Sequence, residues 1–180
     1  MNNFVFSIPT AIYFGRGQVE KLGGIVRRYG SRALLVYGGG SIKRSGLYGT
    51  VLARLKESSV AVTELSGVEP NPKIASVREG VRLCRENGVD VVLAVGGGSA
   101  LDCAKVVAAG ALYAGDPWEL VTEPARIQKA LPVVTVLTAA ATGSEMDAFA
   151  VITNPETHEK LGTSGQLLKP RASILDPALT

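Results

Sequence analysis

The chain has 180 residues, 46% of them hydrophobic and 19% charged, with a formal net charge of +3. That length suits one well-filled core and is short for two. No apolar run is long enough to span a bilayer, and the scattered basic residues give no footprint for nucleic acid. The opening MNNFVFSIPTAIYF lacks a basic leader region and carries Pro9 inside its apolar stretch, which argues against a signal peptide. Cys84 and Cys103 have no metal-like spacing and read as reduced, buried thiols of a cytoplasmic protein.

Along the chain, FVFSIP and TAIYFG predict two short extended segments joined at Pro9. QVEKLGGIVRRYG has the apolar spacing of a helix that stops at Gly30. ALLVY predicts a buried strand, GGGS a loop, and LYGTVLARLKES an amphipathic helix. VAVTEL is a strand, GVEPNP a turn, and IASVREGVRLCRENG a helix with Ile74, Val77, Val81 and Leu83 or Cys84 facing inward. VDVVLAV is the most strand-like run. A second GGGS follows it and opens an alanine-rich helix, SALDCAKVVAAGALY, with Ser99 as its cap. DPWELVTEP is expected to be irregular, broken by Pro117 and Pro124, with Trp118 as a core anchor. LPVVTVL is a strand, TAAATGSEMD a loop, AFAVITNPETHEKLGTSG a hairpin with residues 154–159 at its tip, and ASILDP a last short strand. Alternating strands and helices predict a single α/β domain over residues 1–180: a Rossmann-like parallel sheet flanked by helices, with extended segments before it and a late β-hairpin.

The two GGGS loops, at 38–41 and 96–99, both follow a strand and both precede a helix. In a parallel sheet, ligands sit at the carboxyl ends of strands. Glycines let the backbone approach a ligand, and a helix amino terminus offers free N–H groups and partial positive charge. An extended anionic ligand held by both loops is therefore expected, and the mild positive charge suits a phosphorylated one. A tight strand-to-helix turn would explain either copy alone, but two equivalent copies favour the ligand. Neither copy is the G-x-G-x-x-G fingerprint. If the second loop holds a pyrophosphate, the first falls beside the adenosine ribose. A carboxylate there would repel a 2′-phosphate; this loop has none and offers N–H groups, the Ser41 hydroxyl and nearby Lys43 and Arg44. That chemistry favours NADP over NAD. Ser99 and Asp102 also fit a capping box, and Asn71 between two prolines fits a turn residue and helix cap. His158, the single histidine, is expected on the polar hairpin tip, where it cannot build an ordinary zinc site.

With VGGGSALDCAK, EPNP, TAAATGSEMD and SILDP in order, the whole chain resembles the iron-containing, or group III, alcohol dehydrogenases. GGGSIK makes it most similar to their NADP-dependent butanol dehydrogenase and aldehyde reductase branch. The resemblance implies an α/β dinucleotide-binding domain joined to a helical domain that holds iron(II) or zinc on one aspartate and three histidines. This chain has no such set, so neither catalytic nor metal residues are assigned within it. The resemblance places Gly39, Gly40 and Ser41 at the 2′-phosphate, and Gly97, Gly98 and Ser99 around the pyrophosphate. Asn71 and Asp102 fall near the nicotinamide, Thr138 and Thr142 along the cofactor cleft, and Lys160 at a cofactor ribose. It implies hydride transfer between nicotinamide and a small alcohol or aldehyde. It also implies a homodimer built by strand addition through the two amino-terminal segments. The alternatives are a free-standing nucleotide-binding module without catalysis, and a relative of the glycerol-phosphate dehydrogenases or dehydroquinate synthases.

Overall fold

The continuous Val, Ile, Leu and Ala runs become the strands of a sheet covered on both faces, in a computed structural model that describes residues 8–180. The strands are β1 (Ala11–Phe14), β2 (Arg32–Gly38), β3 (Ala61–Val68), β4 (Val91–Gly96), β5 (Val133–Leu137) and β8 (Ala172–Leu175). They form one parallel sheet in the order β1-β8-β5-β4-β2-β3. Every residue of β4 and β5 is buried. Alternate side chains of β2 enter opposite cores: Leu34 and Val36 one, Ala33, Leu35 and Tyr37 the other. Each fully buried Leu contributes about 1.5–3 kcal/mol relative to exposure.

The first core is roofed by α4 (Ile74–Glu86) and α5 (Gly98–Gly110), the second by α1 (Leu22–Arg27) and α3 (Leu47–Glu57). Buried Ile74, Val77, Val81 and Cys84 recur at helical spacing along α4, and Leu83 is only partly buried. Alanines let α5 lie wedged between the sheet and α4: all ten residues from 100 to 110 other than Asp102 are buried. At Gly80 a Cβ would stand 2.6 Å from Val107 Cγ2, so glycine permits the α4–α5 approach. Burial pushes the thiols of Cys84 and Cys103 up to about 12, so both are protonated at neutral pH.

Several expectations are corrected. The stretch DPWELVTEP contains a helix, α6 (Pro117–Thr122). Asp116 caps it by accepting from Trp118 N at 2.8 Å, and Pro117 occupies the first turn, where its missing N–H costs nothing. Trp118 packs, partly buried, against the first core, as expected of an anchor. The helix expected over residues 18–30 is a 3-10 turn (Gln18–Lys21) followed by α1, and β3 runs on to Val68. A four-residue α2 (Ser41–Arg44) precedes α3. The late hairpin, β6 (Phe149–Asn154) with β7 (Glu159–Ser164), is a separate antiparallel pair, and exposed His158 sits at its tip with φ 56°. Of the two amino-terminal segments, AIYF forms β1, and FVFSIP falls largely outside the described residues. No helix of the described residues is long and apolar enough to cross a membrane.

Candidate dinucleotide cleft

β2 connects outward to β3, whereas β4, on the other side of β2, connects toward β5. The strand order therefore switches between β2 and β4, and both GGGS loops leave the carboxyl ends of these two strands. A crevice opens at such a point because the two connections diverge. A cleft of about 230 Å³ lies there, lined by Gly38, Gly39 and Ser41 from one loop and Gly96 to Ala100 from the other, with Val68 and Pro70 from the end of β3.

The cleft continues in two directions. Beyond Gly98 and Ser99 it reaches a second hollow of about 210 Å³, lined also by Asn71, Asp102, Thr142, Val151 and Lys160. Beyond Ser41 it meets a third of about 230 Å³, where Thr138 faces Ala178 and Leu179. Ten of the eleven predicted residues thus line one groove, and Thr138 stands apart from the central part. Gly40 is the exception: it does not line the groove but makes the turn into α2 at φ 109°, which favours glycine.

The amino terminus of α5 faces the middle of this groove. Its cap is Gly97 with extended backbone, and no side chain caps its first N–H groups. The expected capping box is therefore absent. Ser99 is the second helical residue, and Asp102 looks away from its own helix end. The Asp102 carboxylate accepts from Ser144 Oγ at 2.7 Å and from Val151 N at 3.0 Å, tying α5 to the TGSEMD loop and to β6. Burial raises the Asp102 pKa above its ordinary value, against the pull of these two donors.

One helical turn on, Lys105 is fully buried. Its ammonium donates to Asp147 Oδ1 at 2.7 Å, Asp147 O at 3.1 Å and Phe149 O at 2.8 Å, so all three protons have acceptors. Burial lowers the Lys105 pKa against the attraction of Asp147. Asp102 and Lys105 together clamp the loop that forms the groove's wall. At Gly98 a Cβ would stand 2.6 Å from Thr142 Oγ1, so that wall closes tightly over the helix start. Ser144, Lys105 and Asp147 are the residues that sequence reasoning missed. A lysine followed by VVAAG in an alanine-rich helix was the available signal, since a buried cation requires a partner.

Asn71 is not a helix cap, because α4 begins after Lys73 with no side-chain cap. It occupies the left-handed region at φ 55°, which asparagine tolerates, between two prolines. Its Oδ1 accepts from Lys160 Nζ at 2.7 Å, joining the β3–α4 turn to β7. The same turn holds β6 through Thr153 N to Pro72 O at 2.8 Å.

Beside the first loop, Tyr37 and Tyr48 donate to Glu64 at 2.6 and 2.8 Å. The Lys43 ammonium lies 5.3 and 4.8 Å from their ring centroids. Among the described residues, no three His, Cys, Asp or Glu side chains are grouped to hold a metal ion.

Residues 9–177 match the model of the family described as iron-containing alcohol dehydrogenase. The chain is 55% identical over its full length to NADH-dependent butanol dehydrogenase A of Clostridium acetobutylicum, covering 46% of that protein. It is 42% identical, again over its full length, to an NADPH-dependent aldehyde reductase of Escherichia coli, covering 46% of it. Among solved structures, NADH-dependent butanol dehydrogenase A of Thermotoga maritima superposes with a TM-score of 0.96 at 49% identity, over 99% of this chain and 45% of that one. The chain spans about half the length of the curated relatives it matches.

Proposed function

The chain belongs to the iron-containing alcohol dehydrogenase family, and from that premise we propose that it is the dinucleotide-holding part of an oxidoreductase acting on small alcohols or aldehydes. The observation that carries this reading is the single groove joining both GGGS loops to Asn71, Asp102 and Lys160. Its length and its chemistry suit an extended anion. The uncapped start of α5 donates N–H groups to a pyrophosphate in its middle. Bare glycines on both loops let the ligand lie against backbone. When bound, the nicotinamide supplies the hydride-accepting and hydride-donating carbon. The chain's own residues bind and orient it: Thr142 and the clamped 138–148 loop form one wall, and Lys160 with Asn71 offers polar groups at the far end. A module without catalysis would use the same groove; the family membership is what favours the oxidoreductase.

Between the two cofactors, we propose a preference for NADP(H). The first loop carries no carboxylate, and it offers Ser41 with Lys43 and Arg44 close by. Relatives differ in this respect by name, the butanol dehydrogenases being NADH-dependent and the aldehyde reductase NADPH-dependent. The test is calorimetric titration of the protein with NADP⁺ and NAD⁺, then of Gly39→Asp. A Cβ on Gly39 meets nothing within 4 Å, so the aspartate is accommodated. It should repel the 2′-phosphate, accept from a free 2′-hydroxyl and reverse the preference. Absence of binding by either cofactor would end the dinucleotide reading.

A further inference from the structure

Two cations stand next to each other after the first GGGS loop, and the structure places them in opposite situations. The Lys43 ammonium sits over the rings of Tyr37 and Tyr48, which are 5.7 Å apart and tilted by 55°. Both hydroxyls are fixed by Glu64, and Tyr37 is itself 2% exposed at the end of β2. Lys43 is thereby held to the flank of the sheet by an aromatic and acidic cage. Drawing it toward an anion in the groove would cost the two ring contacts and the nearby carboxylate.

Arg44 is placed differently. Its side chain forms no ion pair and no hydrogen bond among the described residues. Its Nη1 folds back over the loop to 3.7 Å from where a Cβ of Gly40 would stand. Gly40 lies between Gly39 and Ser41, both of which line the groove. That is an ordinary contact distance, so the guanidinium lies against the backbone at the margin of the carboxylate-free loop. A guanidinium is a planar fork of donors that matches a phosphate with two parallel bonds, and it is less strongly hydrated than an ammonium.

Resting on the dinucleotide reading above, we propose that Arg44, and not Lys43, is the residue that discriminates the 2′-phosphate of NADP(H) from the free 2′-hydroxyl of NAD(H). Lys43 is a positioning residue: its cage holds the loop, and so serves both cofactors alike.

The experiment measures NADP⁺ and NAD⁺ affinities by titration for the unsubstituted protein, Arg44→Ala and Lys43→Ala. Arg44 is exposed, so its removal leaves the fold intact. Arg44→Ala should weaken NADP⁺ binding by about tenfold to a hundredfold, as for loss of charge-assisted hydrogen bonds, with NAD⁺ affinity changed less than about twofold. The unsubstituted protein's preference for NADP⁺ should shrink with added salt, and the Arg44→Ala protein should show little such dependence. Lys43→Ala should alter both affinities by the same factor. Selective loss of NADP⁺ binding in Lys43→Ala, or unchanged selectivity in Arg44→Ala, overturns the assignment. Equal affinities in the unsubstituted protein also overturn it while leaving the dinucleotide site standing. Failure of both cofactors to bind removes the site itself.

Discussion

Replacing Asp102 tests whether the groove's wall is held as the geometry indicates. In Asp102→Ala, the buried Ser144 hydroxyl and the Val151 N–H lose their acceptor. Each such orphan costs about 1–3 kcal/mol. The low end applies to both, because Asp102 borders the groove and water can reach the space it leaves. The sum is about 2 kcal/mol, which for a chain of this size lowers Tm by about 4–8 °C. Asp102→Asn keeps one acceptor for Val151 N and can donate its amide to the rotatable Ser144 hydroxyl, so its cost should be about 1 kcal/mol. The sign of the pH dependence follows from the raised pKa of Asp102. Between the ordinary carboxyl value of about 3.9 and the raised one, the folded state holds more protons than the unfolded state. The carboxyl's contribution is therefore full below that window and is lost as pH rises through the folded pKa. Urea denaturation from pH 3 to 8 should show the advantage of the unsubstituted protein over Asp102→Asn narrowing with rising pH. An Asp102→Ala protein as stable as the parent at all pH values would refute the clamp.

Asp90 should show the opposite slope. Burial pushes its pKa up, but bonds from the Arg32 and Ser31 N–H groups and the Ser31 hydroxyl outweigh this and hold it below the ordinary range. Its contribution is present above about 3.9 and lost as pH falls through the folded value, so Asp90→Asn should cost about 1 kcal/mol at pH 7 and flatten the acid limb of the stability curve. At the sheet's edge, β1 is paired on one side only among the described residues and exposes Ile12 and, at 72%, Phe14. We propose that two copies associate along this edge; Phe14→Lys should then shift the mass seen in light scattering toward the monomer, and an unchanged mass would count against it.

The strands of the main sheet were legible because burial on both faces demands unbroken apolar runs, and ALLVY, VDVVLAV and LPVVTVL are such runs. The groove was legible because a tight turn explains one glycine loop, whereas two at equivalent strand ends leave open space between them. What escaped had one of two causes. At Pro117 the breaker reading overlooked that Asp116 and Pro117 together are a helix start. At Asp102, the nearby Ser99 suggested a local partner, whereas the true partners, Ser144 and Val151, lie 42 and 49 residues away. Spacing along a chain reports the turns of one helix and is silent about which distant loop will lie across it.

The hairpin shares no strand pairing with the main sheet. Besides Ala150 and Ile152, which pack into the first core, its fastenings are polar: Val151 N to Asp102, Phe149 O to Lys105, Thr153 N to Pro72 O, Lys160 to Asn71, and Thr163 Oγ1 to Leu120 O at 2.7 Å. One end of the groove is therefore built by the glycine loops and the end of β3, whereas the other is shared between the main body, through Asn71 and Asp102, and the hairpin, through Val151 and Lys160. Recutting the four residues of the first glycine loop changes what enters at one end without rehanging the other. If the cofactor lies as proposed above, descendants of such a chain can trade one phosphate more or less on their ligand by local edits, while the far end of the groove keeps its shape.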